Sequence, residues 1–242
     1  MIMKDSKNSE NTIVKSMNKP NIQEMFNFLA PKYDKINTIL SLGMHHYWNR
    51  IFSKMLGQSE CILDLCSGTG KVAHQYTCYY PQARAILVDF SPNMLLEAKK
   101  RYPNSPFTFI ESDITQLPFN SESHVLASLA YGLRNLPEPQ HALNEIYRVL
   151  KKHASLGILE LTQPSRKHPL YLGHWFYLNY IVPKLGKYYS TSTDAYTYLS
   201  QSIVQLPKDR DLEQLFKKSK FAITQKRKLT CGAATIWVLE KK

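Results

Sequence analysis

Short apolar runs recur along the middle of the chain, and longer segments with apolar residues every three or four positions separate them. The runs are rich in Ile, Leu and Val, which is typical of strands buried on both faces. They predict five strands, at residues 61–66, 83–89, 107–112, 124–131 and 155–161. Strands that alternate with helices predict an α/β fold with a doubly wound, mostly parallel sheet and right-handed crossovers.

Two of the intervening helices have clear sequence signals. Ser91 and Pro92 suit the N-cap and the first position of a helix after the second strand. Residues 139–152 predict another helix, because one face of that segment would collect its apolar side chains. Those side chains are Ala142, Leu143, Ile146, Val149 and Leu150.

The N-terminal part of the chain has a different pattern. Its beginning is polar and lacks the apolar core of a signal peptide, so residues 1–20 are predicted to form a disordered tail. The segment after the tail predicts helical pieces that are broken at Pro31 and Gly43. We therefore expect a helical cover at 21–56, followed by a sheet domain at 57–242.

The last third of the chain adds two features to the sheet domain. Residues 164–206 are rich in aromatic residues and predict a helical insertion. A helix is predicted at 209–218, and strand candidates follow at 221–229 and 234–240. Gly232 lies in the short turn between these two strands, which predicts an antiparallel hairpin at the edge of the sheet.

Composition narrows the class of protein. The chain has 242 residues, of which 43% are hydrophobic, and this length allows a core to form without disulfides. The four cysteines form no CxxC pair, so we expect small buried thiols in a reducing cytosol and no structural zinc site. The formal charge of +12 favours anionic partners such as nucleic acid or membrane lipid. No run approaches the roughly 18 apolar residues of a membrane span, so we expect a cytoplasmic protein.

A glycine-rich loop follows the first predicted strand in the segment LDLCSGTGK, residues 63–71. Gly68 and Gly70 allow the backbone to approach a ligand closely, and a predicted helix begins directly after them. Open parallel sheets bind ligands at the carboxyl ends of their strands, so this loop marks the candidate site. The segment GTGKVA also fits a loose G-x-G-x-x-A pattern, which keeps a dinucleotide-dependent dehydrogenase as an alternative.

Acidic residues stand at the ends of three predicted strands. Asp64 precedes the glycine loop, where a carboxylate would repel a pyrophosphate but suits a cation or an amino group. Asp89 suits ribose hydroxyls, and Asp113 suits the amino group of a base. A ligand with a ribose, an adenine, a positive centre and no phosphate is S-adenosylmethionine. The set therefore resembles the cofactor site of class I methyltransferases.

This resemblance implies a role for each residue, and each role has a local alternative. The methionine portion of the cofactor would be held by Asp64 and the loop, the ribose by Asp89, and the adenine by Asp113 and its neighbour. The residues concerned are Asp64, Gly68, Thr69, Gly70, Asp89, Asp113 and Ile114. Alternatively, Asp64 caps the following helix, Asp89 caps the helix at Ser91, and Asp113 closes a turn.

Four longer segments are similar to one family. The chain resembles the UbiE/MenG family of ubiquinone and menaquinone C-methyltransferases over residues 22–240, in APKYDKINTILSLGMHHYWNR (30–50), YGLRNLPEP (131–139), ALNEIYRVLK (142–151) and DAYTYLSQSIVQLP (194–207). The resemblance implies a Rossmann-like methyltransferase sheet, S-adenosylmethionine as cofactor and a prenylated quinol as acceptor, with demethylmenaquinol ahead of a benzoquinol. In two places the chain departs from the family. Lys71 replaces a usual acidic residue, and KKHASLG replaces a glycine-rich loop.

The same resemblance implies catalytic residues. Arg134 is expected to stabilise phenolate charge on the acceptor, Asn135 to orient its ring, and Tyr33 with Asp34 to close over it. An ion pair between Arg134 and an acid, and an N-cap at Asp34, are the alternatives. His45 and the histidine after it are expected on the surface of a helix.

Partners and competing functions remain open. The aromatic residues of 170–189 are candidates for the wall of the prenyl path and for contact with an anionic membrane surface, and an ordinary core helix is the alternative. A methyltransferase acting on nucleic acid is the second candidate function. The chain carries no NPPY motif and no appended RNA-binding domain, so no nucleic acid partner is expected. A protein that only senses S-adenosylmethionine is the third, and a homodimer is compatible with the sequence.

Overall fold

The computed structural model describes residues 19–162, 169, 171–181, 184, 202, 206 and 208–242. Most of the predicted tail and most of the predicted insertion therefore lie outside the described residues. The strands are β1 (Cys61–Leu65), β2 (Arg84–Asp89), β3 (Phe107–Glu111), β4 (His124–Ala130), β5 (Leu150–Leu161), β6 (Phe221–Leu229) and β7 (Ala234–Lys241). Their order in the sheet is β3-β2-β1-β4-β5-β7-β6.

The sheet confirms the predicted fold class. Strands β1 to β5 pair in parallel, and β7 lies antiparallel between β5 and β6. The strands β6 and β7 form the predicted hairpin at the edge, joined by a 3-10 turn at Thr230–Gly232. The fold is therefore α/β, mostly parallel, with an antiparallel C-terminal hairpin.

The helices are α1 (Lys19–Leu29), α2 (Tyr33–Leu40), α3 (Met44–Leu56), α4 (Lys71–Tyr79), α5 (Pro92–Arg101), α6 (Pro139–Val149), α7 (Tyr171–Phe176) and α8 (Asp209–Lys218). The predicted breaks are confirmed, because Pro31 lies in a 3-10 turn and Gly43 has a φ of 75° before α3. Ser91 caps α5, since its hydroxyl accepts a hydrogen bond from the Met94 N–H at 3.2 Å. None of the helices in the described ranges is long and apolar enough to cross a membrane.

The boundary between α6 and β5 differs from the sequence prediction. Helix α6 ends at Val149, and Leu150 has an extended backbone that starts β5 five residues early. Leu150 pairs with His124, and a bulge follows before the regular ladder with β4. This early pairing outweighs the helical pattern of 139–152, so Lys151 and Lys152 are exposed strand residues.

Helices cover both faces of the sheet. On one face α3, α4 and α5 pack against the strands, and on the other face α6 and α8 do so. A Cβ atom on Gly157 would come within 2.1 Å of Leu56 Cδ2, so α3 lies directly against β5. Helix α1 contacts the start of α5, where Asn27 Oδ1 accepts a hydrogen bond from Ser91 at 2.6 Å. These contacts place α1, α2 and α3 beside the carboxyl ends of β1, β2 and β4.

Candidate functional site

Two cavities lie side by side at the carboxyl ends of the parallel strands. The first has a volume of about 870 Å³ and the second a volume of about 390 Å³. Five residues, which we call the shared wall, line both cavities: Tyr33, Cys66, Gly68, Ala130 and Tyr131. Both volumes are typical of small-molecule sites. The arrangement provides two binding chambers separated by a few side chains.

The two glycines of the loop have different roles. Gly68 has a φ of 54°, lines both cavities and donates its N–H to Asp89 Oδ2 at 2.8 Å. Gly70 has a φ of 77° and lines neither cavity. A Cβ atom there would lie 3.0 Å from Leu87 Cδ2 and 3.3 Å from Ala98 Cβ. Close approach to a ligand therefore applies to Gly68, whereas Gly70 allows α4 to pack against β2 and α5.

We expect Gly70→Ala to lower the free energy of unfolding by about 2–5 kcal/mol, because it combines a left-handed backbone with overpacking. Gly43→Ala is the matched control, since Gly43 has the same left-handed backbone, with a φ of 75° and a ψ of −5°, but open space around its Cβ position. That change should cost only about 1–2 kcal/mol. Urea unfolding of both variants measures the difference, and equal losses would contradict the packing argument.

Asp64 is buried and its carboxylate has internal partners. Oδ1 accepts a hydrogen bond from Ser128 Oγ at 2.6 Å, and Oδ2 accepts one from the Ala73 N–H at 3.2 Å. The side chain thus caps the first turn of α4, which was the local alternative. Asp64 also lines the second cavity, so its contact with the cofactor stays a prediction. In its ionised form, this carboxylate repels a pyrophosphate at the start of α4, which weakens the dehydrogenase alternative.

The stability of the protein should depend on pH through Asp64. Burial raises the pKa of this carboxyl from 3.8 to about 7, so the folded state holds the proton more tightly than the unfolded state. Stability therefore falls as the pH rises from about 4 to about 7. Between pH 4 and pH 7, the free energy of unfolding of wild type should fall by on the order of 2–4 kcal/mol more than that of Asp64→Asn. Urea unfolding at several pH values tests this, and parallel curves for the two proteins would refute it.

The first cavity brings together most of the predicted cofactor residues. Asp89 is buried, and Oδ1 accepts a hydrogen bond from the Ser91 N–H at 2.9 Å, in addition to the bond from the loop. Burial raises the pKa of Asp89 to about 6. Asp113 closes a turn by accepting from the N–H and the hydroxyl of Thr115 at 2.9 and 2.8 Å. Asp89, Asp113 and Ile114 all line this cavity.

The predicted catalytic residues lie on both sides of the shared wall. Arg134 lines the second cavity, and its guanidinium forms an ion pair with Glu160, whose Oε2 also accepts the Arg134 N–H at 3.2 Å. Asn135 lines the first cavity and donates from Nδ2 to the Tyr131 carbonyl at 3.2 Å. Tyr33 belongs to the shared wall, and burial of its phenol raises its pKa. This ion pair was the alternative to a catalytic role for Arg134 in the sequence analysis. The structure contains the ion pair, and Arg134 also lines the second cavity, so its catalytic role stays a prediction.

Asp34 ties α2 to the glycine loop. Its Oδ1 accepts a hydrogen bond from Thr69 Oγ1 at 2.7 Å and lies 3.4 Å from Lys71 Nζ, and the carboxylate also pairs with Arg101 of α5. Thr69 is buried and lines the second cavity, so contact with the methionine portion stays a prediction. Lys71, the residue that departs from the family pattern, has a structural partner on α2.

The prediction that His45 lies on the surface is wrong. Its side chain is buried, and Nδ1 lies 2.7 Å from Ser41 Oγ while Nε2 lies 3.3 Å from Lys71 Nζ. Burial, with smaller contributions from His46 and Lys71, lowers the pKa of His45 to about 4. The imidazole is therefore neutral at pH 7, which suits its place between a hydroxyl and an ammonium group. His46 is exposed, as predicted.

Three residues of the site had little or no sequence signal. Cys66 and Tyr131 directly follow β1 and β4 and have φ values of 51° and 58°, which are unusual for residues with side chains. Such conformations persist at functional sites where the surrounding structure holds them, and the Tyr131 N–H donates to the Leu159 carbonyl at 2.7 Å. Glu160 had one signal, an acid in the otherwise apolar strand GILEL.

The first cavity fits S-adenosylmethionine. Gly68 leaves space that a side chain would occupy, since the nearest atom to a Cβ there is Tyr33 Cε1 at 3.9 Å. The buried carboxylate of Asp89 can accept hydrogen bonds from ribose hydroxyls, and Ile114 offers an apolar surface to adenine. Within the described residues, no group of three or more His, Cys, Asp or Glu side chains could hold a metal ion. The prediction that the cysteines are buried is wrong, because Cys78 and Cys231 are exposed and the other two are partly exposed.

Comparisons with known proteins show the family to which the chain belongs. The model of the ubiE/COQ5 methyltransferase family matches residues 13–241. A demethylmenaquinone methyltransferase of Chlamydia caviae is 64% identical over 226 residues, which cover 93% of this chain and 98% of that protein. Another from Chlamydia pneumoniae is 56% identical over 227 residues, covering 94% and 99%.

Solved structures show the same fold at low sequence identity. A SAM-dependent methyltransferase from Aquifex aeolicus has a TM-score of 0.56 at 13% identity, over 78% of this chain and 87% of that one. A SAM-dependent methyltransferase from Thermotoga maritima has a TM-score of 0.63 at 17% identity, over 91% of this chain and 100% of that one. At these identities the likeness extends to the fold alone.

Proposed function

Since this chain belongs to the ubiE/COQ5 methyltransferase family, we propose that it transfers the methyl group of S-adenosylmethionine to a ring carbon of demethylmenaquinol, a prenylated naphthoquinol. The observation that carries this proposal is the pair of cavities that meet at the shared wall. The first offers carboxylates and a glycine loop to the cofactor. The second offers an apolar chamber to the acceptor, with Leu40, Leu42, Met44, Trp48, Val72 and Leu161 among its lining residues.

The first cavity positions the cofactor. S-adenosylmethionine supplies a methyl group on a positively charged sulfur, which departs as a neutral thioether without help from an acid. We assign Asp89 to the ribose hydroxyls, and Asp113 with Ile114 to the adenine. Gly68 lets the backbone of the loop approach the methionine portion. Fixing both reactants in line removes several kcal/mol from the barrier.

The second cavity activates the acceptor. Methylation at a ring carbon needs electron density from a neighbouring phenol oxygen, which gains negative charge as its proton passes to solvent. The ring carbon then bonds to the methyl group and loses its hydrogen as a proton while the oxygen regains one, so that the net release is one proton to solvent. We assign the buried guanidinium of Arg134 to stabilise this charge, while Glu160 holds the guanidinium in place. Tyr33 stays a protonated phenol, because burial raises its pKa, and can donate a hydrogen bond across the shared wall.

A methyl-transfer assay tests the proposed function. Labelled S-adenosylmethionine is offered together with demethylmenaquinol, with a demethylated benzoquinol precursor, or with RNA, in separate reactions. We expect label in the naphthoquinol product, little in the benzoquinol and none in RNA. Label in RNA alone would support the nucleic acid alternative. Binding of the cofactor without transfer to any acceptor would contradict the proposal.

We also propose that the mouth of the second cavity meets an anionic membrane, which would deliver the prenyl tail. Gly173 and Tyr177 line that cavity, and the Tyr177 hydroxyl donates to the Leu40 carbonyl at 3.1 Å. Large exposed apolar side chains occur close to these two residues in the sequence, and one more, Leu42, lies in the loop after α2. The set is Leu42, Leu172, Trp175, Phe176, Tyr180 and Ile181. Aromatic residues favour the membrane interface, and the charge of +12 favours anionic lipid.

Flotation with vesicles tests the membrane contact. We expect wild type to float with phosphatidylglycerol vesicles at low salt, and the variant Leu172→Glu/Phe176→Glu to bind at least tenfold more weakly. Leu96→Glu is the matched control, because Leu96 is an exposed leucine on α5, outside this surface. Equal binding by all three proteins, or no binding by wild type, would overturn this assignment.

A further inference from the structure

A hydrogen-bonded polar pair lies in the lining of the second cavity, together with other polar residues such as Arg134 and Thr162. Asn49 lies on α3 and is only 4% exposed, and Tyr131 belongs to the shared wall at the end of β4. The Tyr131 hydroxyl donates a hydrogen bond to Asn49 Oδ1 at 2.8 Å. Both residues line the second cavity, so the pair faces the chamber that we assign to the acceptor.

The pair retains hydrogen-bonding capacity toward the cavity. The phenol of Tyr131 stays protonated at neutral pH, because burial raises its pKa well above the usual range. Its single proton is used in the bond to Asn49, which leaves the oxygen as an acceptor. Within the described part of the chain, no residue accepts a hydrogen bond from the Asn49 amide nitrogen. This nitrogen is not among the fully enclosed side-chain atoms without a partner, so it reaches the cavity and its donor is open to a ligand.

A purely structural role explains the pair poorly. Two apolar side chains of similar size would join α3 to β4 without placing an amide donor at the cavity. Tyr131 also has a left-handed backbone, with a φ of 58°, which the hydrogen bond from its N–H to the Leu159 carbonyl helps to hold. The pair also lies in the same cavity as Arg134, which we assign to one oxygen of the acceptor. A naphthoquinol carries a second ring oxygen that needs its own partner.

We propose that Asn49 and Tyr131 bind a ring hydroxyl of the acceptor and select its reduced form, an inference that rests on the proposed function. The hydroxyl donates its proton to the Tyr131 oxygen, and the Asn49 amide donates to the hydroxyl oxygen. A quinone carbonyl has no proton to donate. It can accept the hydrogen bond from Asn49, but its oxygen and the Tyr131 oxygen are then two acceptors that repel each other. The pair therefore favours the quinol, the only form whose ring is electron-rich enough for methylation.

Anaerobic binding titrations test this assignment. A short-chain naphthoquinol and the corresponding quinone are each titrated into the full-length protein saturated with S-adenosylhomocysteine. Binding is followed by quenching of Trp48, which lines the second cavity, and Trp48→Phe identifies that signal. We expect wild type to bind the quinol about tenfold more tightly than the quinone. Tyr131→Phe should remove most of this preference by weakening quinol binding alone, because it deletes the acceptor oxygen.

Two further variants complete the design. Asn49→Leu should weaken the binding of both quinol and quinone, about three- to tenfold, because the Asn49 amide can donate to the oxygen of either form. Tyr177→Phe is the matched control, because Tyr177 lines the same cavity but donates to a backbone carbonyl, and it should leave the preference unchanged. If Asn49→Leu fails to fold, Tyr131→Phe decides alone, with its melting temperature and its affinity for S-adenosylhomocysteine as checks of folding.

The outcomes separate this inference from the proposed function. Equal weakening of quinol and quinone by Tyr131→Phe, or no change in either, would overturn the inference even if methyl transfer to the quinol is normal. No quenching of Trp48 by either form in wild type would also overturn it. Binding with the expected preference but without methyl transfer would support the pair and overturn the proposed reaction.

Discussion

Replacing Arg134 by methionine is expected to lower the free energy of unfolding by about 3–5 kcal/mol, one of the two largest effects that the structure predicts. The side chain of Arg134 is 2% exposed and that of its partner Glu160 is fully buried. Methionine keeps much of the volume but removes the positive charge. The carboxylate of Glu160 is then left without a counter-charge in the core, which is a severe destabilisation.

A double variant separates this structural role of Arg134 from its catalytic role. Glu160→Gln removes the stranded charge and keeps an oxygen that can accept the N–H of Leu161, now 2.8 Å from Oε1. Arg134→Met/Glu160→Gln should therefore recover more than half of the lost stability in urea unfolding. Methyl transfer should stay about 10²–10³-fold below wild type in both proteins, because the guanidinium is absent. Recovery of transfer together with stability would show that the ion pair is only structural.

Asp89→Asn is expected to weaken the binding of S-adenosylmethionine by about 10- to 100-fold, the second large effect. A hydrogen bond to a charged acceptor contributes about 1.5–3 kcal/mol, and the ribose hydroxyls would lose the carboxylate. The amide also keeps only one acceptor oxygen for the N–H groups of Gly68 and Ser91, which now bond to different oxygens of Asp89. Calorimetric titration with S-adenosylhomocysteine measures the change.

The same titration has a control and a pH dependence. Glu111 lies beside Asp89 in the sheet register but is exposed and lines neither cavity, so Glu111→Gln should bind normally. Because burial raises the pKa of Asp89 to about 6, the affinity of wild type should fall as the pH drops below about 6. Asp89→Asn should lose this dependence. If Glu111→Gln lost as much affinity for S-adenosylhomocysteine as Asp89→Asn, then general charge, and not the position of Asp89, would govern binding.

The elements of this fold were predictable because their signals are local. Apolar runs and helical spacing gave the strands and helices, and the cap at Ser91 and the breaks at Pro31 and Gly43 followed from backbone chemistry. The early start of β5 was not predictable, because pairing of Leu150 with β4 is a long-range contact. The helical pattern continues past Val149 in the sequence, so it cannot show that pairing with β4 ends the helix there.

The candidate site was predictable only in part, for a similar reason. The order of acidic residues at strand ends predicted a ligand site at the carboxyl ends of the strands, and Asp89, Asp113 and Ile114 line a cavity there. Which oxygen faces a ligand depends on partners from distant parts of the chain. Asp64, for example, bonds to Ser128 as well as to its own helix. The left-handed backbone of Tyr131 is likewise imposed by tertiary contacts that no short motif encodes.

The central claim is that cofactor and acceptor occupy separate cavities and meet at the shared wall. A crystal structure of the protein with S-adenosylhomocysteine and a short-chain naphthoquinone tests it most directly. We expect the thioether sulfur beside Gly68 and Tyr33, the adenine against Ile114, and the ring in the second cavity between Trp48 and Tyr131. A naphthoquinone bound elsewhere, with the second cavity closed to it, would contradict the claim.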